Sequence, residues 1–244
     1  MDQAVSRSLA ILEALASAGA PVRLSRLSEQ VGLQKSTAHR ILQTLVALGY
    51  VIQEAETGRY GASLKLWELG SAIVFEHPVK RAAASFLQSL HREVGETVSL
   101  LVPSGEDVLY LERLVSPRPT RFSARPGSRV PALLTSGGRA MLAEAADLRD
   151  AAARALAHAG DRREATLAEI VRDLEEARRR GYAISRDTPG VVSMGCAIPG
   201  RTGSPAAAIS ISAPVERVTQ EDEARVATAL LATCAALQDT VGLL

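Results

Sequence analysis

The sequence predicts a two-part α+β chain: a winged helix-turn-helix, then a larger domain in which helices bracket a sheet. Three observations predict it. Residues 1–62 hold three short helical patterns followed by a hairpin signal, "YVIQEAETGRYGAS", Tyr50 to Ser63. From Val79 one long helical stripe gives way to strand-like runs, with helices between and after them. The 244 residues suffice to bury a substantial core without staples.

Each element follows from local pattern. Val5, Leu9, Leu12 and Ala16 recur at spacings of four and three, which makes one apolar stripe, and Gly19-Ala20-Pro21 ends that helix. Ser25 is placed to cap a second short helix, whose Leu27 and Val31 face inward and which Gly32 stops. The third helix lies in "LQKSTAHRILQTLVALGYVIQ", Leu33 to Gln53. "SLKLWELGSAIVF" reads as a connecting helix over residues 63–77, broken at His77-Pro78. Val79, Ala83, Phe86, Leu87, Leu90 and Val94 form the next stripe, closed by Gly95. Strands are expected at Thr97–Val102, Asp107–Val115, Thr120–Ala124, Tyr182–Ser185, Val191–Ile198 and Ala206–Ser212. Two Ala- and Arg-rich helices fall between about Ala140 and Arg180, and a last helix runs from Gln220 to Val241. No internal repeat marks a solenoid.

Composition narrows the function. The 28 basic and 27 acidic residues leave a formal charge of +1, so any nucleic-acid contact comes from a local patch rather than a basic coat. Two cysteines, Cys196 and Cys234, make no disulfide framework and fit a reducing cytoplasm. The first residues show no basic head before an apolar run, and no apolar run approaches the ~20 residues that span a bilayer. A cytoplasmic protein with no membrane partner is expected.

The third helix has two faces. At about 100° per residue, Ala38, Ile41, Leu42, Leu45 and Leu48 gather on one side, and Ser36, His39, Arg40, Gln43 and Ala47 on the other. Arg40 and Gln43 have the geometry for bidentate bonds to base edges. Lys35, Ser36 and Thr37 occupy the first turn, where N–H groups and the helix dipole favour phosphate. Such a helix suits a major groove. A face that meets only water is the alternative, and the short helix and tight turn before it favour the groove. Arg59 at the hairpin tip adds a backbone or minor-groove contact.

"AVSRSLAILEAL", "GLQKSTAHRILQTLVALGYV" and "TGRYGASLKLWELG" resemble the N-terminal domain of the IclR family of bacterial transcription regulators. "GETVSLLV", "GSRVPALLTSGGRAMLA", "RRRGYAIS" and "AIPGRTGSPAAAISISAPVERVT" resemble its effector-binding domain, in the right order. The resemblance covers nearly the whole chain. It implies a winged helix-turn-helix over 1–62, a connecting helix over 63–77 and a GAF-like effector-binding domain over 78–244. It implies a homodimer or dimer of dimers on double-stranded operator DNA, with Arg26, Lys35, Ser36, Thr37, His39, Arg40, Gln43 and Arg59 as DNA contacts. Repression of a local catabolic operon under control of a small molecule is the expected role.

For the effector the resemblance points to Gly127, Ala132, Leu133, Met141, Asp187, Cys196, Ser210 and Ser212. Ser210 and Ser212 are two apart on a strand, so their hydroxyls share a face and suit a carboxylate; ordinary surface alternation is the other reading. Backbone N–H groups of the Gly127–Leu133 loop are expected to assist, with Cys196 and Met141 on the apolar side. The sequence departs from the family at Arg186-Asp187-Thr188-Pro189, at the lone Thr166 and at Ser136-Gly137-Gly138-Arg139. Catalysis is not expected: Cys196 is the one tempting nucleophile, and His77, His91 and His158 show no signature spacing around it. No metal motif or dinucleotide fingerprint is present, so no cofactor or metal is expected. The alternative to a DNA-binding regulator is a dimeric small-molecule-sensing or interaction module that does not bind DNA.

Overall fold

A computed structural model describes residues 2–118, 125–160, 165–200 and 204–241. They divide into two compact units, Met1–Phe75 and Glu76–Leu244. The expected strand Thr120–Ala124 lies outside the described residues.

In the first unit α1 (Gln3–Ala18) starts behind Asp2, whose carboxylate accepts the Ala4 N–H at 2.8 Å. α2 (Leu24–Gln30) and α3 (Lys35–Ala47) are joined by a turn in which Gly32 takes φ 65°, a left-handed conformation that favours glycine. β1 (Val51–Gln53) and β2 (Tyr60–Ala62) form the wing, antiparallel, with Val51 opposite Ala62. Val22 adds a bridge to Tyr60, exchanging N–H···O bonds of 2.8 and 2.9 Å. Ile11, Leu15, Leu27, Leu42, Leu45 and Tyr60 make the core.

Three local expectations change. α1 turns Ile11, Ala14 and Leu15 inward, whereas Val5 and Leu9 of the expected stripe are 56% and 53% exposed. α2 begins one residue before Ser25, at Leu24, with Arg23 in the N-cap position and no side-chain cap. Leu48 is the C-cap of α3 and is exposed, one turn past the buried Leu42–Leu45 surface. α4 (Leu64–Phe75) belongs to the first unit and buries none of its residues.

In the second unit α5 (Pro78–Val94) starts on Pro78, whose missing N–H costs nothing in a first turn. It precedes β3 (Thr97–Ser104), β4 (Asp107–Leu114), β5 (Arg129–Pro131), α6 (Ser136–Ala143), α7 (Leu148–Ala159) and α8 (Leu167–Arg180). β6 (Ala183–Ser185), β7 (Val191–Pro199), β8 (Pro205–Pro214) and α9 (Gln220–Val241) complete it. The helical stretch expected between 140 and 180 is thus α7 and α8, with α6 before them. The six strands run in the order β5-β4-β3-β8-β7-β6, antiparallel throughout.

The faces separate by alternation. Val98, Leu100, Met194, Cys196, Ile209 and Ile211 point at α5 and α9. Leu101, Ala208 and the neighbouring small and polar residues point at α6. α7 and α8 pack on α6.

Glycine lets α6 sit directly on the sheet. A Cβ on Gly195 of β7 would lie 2.4 Å from Gly137 N and Ser136 C, and one on Gly138 would lie 2.2 Å from Ala132 O. These neighbours are backbone and have no rotamer to yield. Gly195→Ala is expected to cost about 1–3 kcal/mol, as overpacked interiors do. For a domain of this size that is a fall in Tm of roughly 2–12 °C, read by thermal denaturation; an unchanged Tm would contradict the close approach.

Candidate nucleic-acid interface and effector cavity

α3 presents Lys35, Ser36, His39, Arg40 and Gln43 to solvent while Ala38, Leu42 and Leu45 hold it to the core. Thr37 is half-buried. Its N-cap, Gln34, makes no side-chain bond, and Ala38 is the first α3 residue whose N–H bonds back, to Gln34 O at 3.0 Å. The first-turn N–H groups are therefore open to an anion. Arg40 has no side-chain partner among the described residues. Gln43 is already oriented: its Nε2 donates to Tyr60 Oη at 3.4 Å and lies 3.4 Å from His39 Nε2. Arg26 on α2 is exposed, and so is Arg59, whose N–H is held by Thr57 Oγ1 at 3.2 Å at the wing turn. The eight expected contacts thus sit on α2, α3 and the wing of one unit.

In the second unit a cavity of about 350 Å³ opens between the sheet and the N-terminus of α6. Its floor is two rows of residues in register. Thr97, Ser212, Ser193 and Ser185 stand opposite one another across β3, β8, β7 and β6. In the next row Arg113, Ser99, Ser210 and Gly195 cross β4, β3, β8 and β7. Ser136 at the start of α6 reaches down to Ser210, Oγ to Oγ at 3.1 Å. Thr135 caps α6 by accepting the Gly138 N–H at 2.9 Å.

Sixteen of the described residues line this cavity: ten Ser or Thr, Arg113, Arg129, Tyr110 and three apolar residues, with no Asp or Glu among them. Burial pushes the Tyr110 phenol up, and nearby Arg113 partly offsets it; burial also draws the Arg113 guanidinium down, with Tyr110 opposing. The site can hold an oxygen-rich, negatively charged ligand. Its described lining holds no His, Cys, Asp or Glu.

Only Ser210 and Ser212 of the expected effector residues line it. Cys196 lies on the opposite face of the sheet, opposite Ile209 in register, among the α5 and α9 side chains. Its neighbour there is Cys234, whose thiol is pushed well up by hydrogen bonding to Cys196 and by burial. Met141 and Ala132 pack with Leu101, Val108 and Ala208, and Leu133 packs against α7 and α8. Asp187 is tied to the buried Arg139, which also donates to Leu133 O at 2.8 Å and Ile184 O at 3.0 Å. The loop amides are spent as well: Gly127 N–H goes to Tyr110 O at 2.8 Å, Ser128 to Arg125 O and Ala132 to Glu106 O. Sequence reasoning missed Thr97, Ser99, Ser193, Arg113 and Arg129. The alternating hydroxyls of "TVS" and "SIS" were the signal for the first two.

Comparison with known proteins decides the family. Residues 71–239 match the bacterial transcriptional regulator IclR C-terminal domain, and residues 4–55 match the IclR helix-turn-helix domain. The chain belongs to the IclR family.

This IclR-family chain is 31% identical to the "Probable transcriptional regulator SauR" of Cupriavidus necator, over 90% of its own length and 89% of that protein's. It is 30% identical to the HTH-type transcriptional repressor AllR of Escherichia coli K12, over 90% and 83% of the two chains. An IclR homologue from Microbacterium hydrocarbonoxydans, crystallised with 4-hydroxybenzoate, superposes with a TM-score of 0.76 at 22% identity, covering 96% of this chain and all of that one. The IclR-family member described here is a DNA-binding transcriptional regulator with an effector domain. Its family consists of regulators rather than enzymes. Among the described residues no helix is long and apolar enough to cross a membrane.

Proposed function

We propose that the protein is a homodimeric repressor of a neighbouring catabolic operon, which reads a partly palindromic operator with α3 and the wing and is controlled by a small carboxylate. The observation that carries this reading is the cavity wall, where the described lining has eleven hydroxyl-bearing residues and two arginines and no Asp or Glu. Carboxylates are bound by such donors. Two likenesses support it: AllR is a repressor by name, and the Microbacterium homologue holds an aromatic carboxylate. In this reading Arg40 and Gln43 contact bases. Lys35, Ser36, Thr37, His39, Arg26 and Arg59 position the unit on the backbone.

The dimer follows from surface chemistry. Trp67 and Ile73 of α4 are 69% and 73% exposed, and Val5 and Leu9 of α1 share the same unit. Exposed apolar surface of this extent marks an interface. One winged helix also covers too few base pairs for useful specificity, and a two-fold dimer doubles the site. Multi-angle light scattering is expected to give a mass of two or four chains, and Trp67→Glu with Ile73→Glu to shift it toward one. A wild-type monomer, both free and on DNA, would sink the dimer.

The regulatory reading is tested by fluorescence anisotropy on DNA flanking the protein's own gene, with and without candidate acids. Binding at moderate salt and its change by one acid are expected. Binding that every acid leaves unaltered would contradict effector control.

A further inference from the structure

We infer that the cavity takes a compact aliphatic hydroxy acid, whose hydroxyls are read by Ser99 and Ser193 on either side of the acid group. This rests on the reading of the cavity as the effector site and deepens it to a chemical class.

The floor assigns the places. Ser210 and Ser212 enter the cavity from β8, two residues apart. Ser99 stands opposite Ser210 on β3, and Ser193 stands opposite Ser212 on β7. Side chains paired in this way across strands begin about 5 Å apart, and those along β8 about 7 Å. The four hydroxyls thus form a step across three strands. An acid group seated over the central pair has Ser99 on one side and Ser193 on the other. A hydrogen bond from either serine then meets a substituent on the carbons next to the acid group.

Hydrogen-bond capacity is the second argument. Ser99 is 5% exposed, and its hydroxyl has no protein partner among the described residues. Ser193 is half-buried and has none either. At the two ends of the Thr97–Ser212–Ser193–Ser185 row the protein does engage the hydroxyls. Thr97 accepts the Ser116 N–H at 3.1 Å, and Ser185 donates to Asp187 at 3.2 Å. Each hydroxyl left over offers one proton and two lone pairs. A carboxylate uses the proton alone, and an unsubstituted carbon chain uses neither. A ligand hydroxyl, itself donor and acceptor, matches both. A flat ring lying over the step would cover Ser99 and leave it unmatched, which costs free energy in a buried place. A cavity of about 350 Å³ keeps the ligand compact.

Isothermal titration of the full-length protein compares acids of equal charge and chain length: glycerate against propionate, malate against succinate and gluconate against hexanoate, with benzoate and 4-hydroxybenzoate alongside. In at least one pair the hydroxylated acid is expected to bind about tenfold or more tightly, since a site that hydrogen-bonds a ligand hydroxyl penalises its absence. Ser99→Ala with Ser193→Ala is expected to narrow that ratio to about threefold or less. Every pair bound alike, or a deoxy acid or benzoate bound most tightly of all, overturns the inference; the effector site stands if Ser210→Ala with Ser212→Ala weakens that binding. A Ser99→Ala, Ser193→Ala variant that weakens both acids of a pair by the same factor also overturns the inference alone. A preferred acid whose affinity survives Ser210→Ala with Ser212→Ala sits elsewhere, and the site reading then falls together with the inference. Binding of no acid by protein with a folded circular dichroism spectrum overturns both.

Discussion

Replacing Arg40 and Gln43 together by alanine is expected to weaken operator binding by about 2–6 kcal/mol, with a much smaller loss on random DNA. Each bidentate base contact contributes about 1–3 kcal/mol of discrimination, and both residues stand on the solvent side of α3, away from Ala38, Leu42 and Leu45. Arg40 enters the complex without a protein bond to break. Gln43 must release Tyr60 Oη and His39, which places its share at the lower end. Arg40 touches no core residue, and losing the Gln43 bond to the core Tyr60 should lower the melting temperature only slightly. Lys35→Ala is the control: a phosphate contact weakens both DNAs alike and lowers the salt slope by about one. Anisotropy titrations against operator and scrambled duplexes at several salt concentrations separate the cases. Equal losses on both duplexes for the Arg40, Gln43 pair would reduce them to backbone contacts.

The helix-turn-helix was legible in the sequence because its signals are local. A glycine turn, a polar face opposite an apolar one and a hairpin all lie within a few residues of each other. α1 was harder. It carries two apolar stripes, Val5–Leu9–Leu12 and Ile11–Ala14–Leu15, and periodicity alone does not say which one faces the unit's own core. The stripe the pattern selected is exposed at Val5 and Leu9, and only its Leu12 packs against the core.

The cavity was half legible for a different reason. Alternation within a strand tells which residues share a face, and so paired Ser210 with Ser212. It does not tell how the faces of two strands correspond, because a slip of one residue exchanges them. Cys196 was placed beside the serines, yet register sets Gly195, not Cys196, opposite Ser210. The two rows of hydroxyls exist only once four strands are aligned. Arg113 and Arg129 come from strands at the β5 end of the sheet, and no short motif joins them to "AISIS". The short α6, buried along most of its length, was seen only as a helix start at Ser136-Gly137-Gly138-Arg139 and not as an element of its own, because two glycines in the first turn weaken the helical pattern. Gly137 marks the contact with the sheet, at Leu101 and Ala208, and Gly138 the contact with Ala132 just before the helix.

The Ser210→Ala, Ser212→Ala double variant is expected to bind the effector about 3–6 kcal/mol more weakly, since each hydroxyl bond to a charged group contributes about 1.5–3 kcal/mol. Ser210 belongs to the buried Ser136 pair, so its loss also frees the Ser136 hydroxyl beside the ligand, and the single variants need not sum to the double. Ser212 has no protein partner among the described residues, which makes Ser212→Ala the cleaner measure of a direct contact. The loss should carry through to DNA. Effector and operator act through one coupling free energy, typically about 1–3 kcal/mol, and the coupling is reciprocal. An acid that loosens the operator complex must itself bind less tightly, by the same factor, to protein already on DNA. In the double variant the acid concentration needed for release rises with its dissociation constant. The ratio of operator affinities at saturating acid stays as in wild type, because the serines hold the ligand and do not transmit its effect. Anisotropy titrations at increasing acid, run for both proteins, give the two quantities independently. An unaltered acid requirement in the double variant would remove the serines from the site, and a release ratio that collapsed at saturation would make them part of the switch rather than of the binding floor.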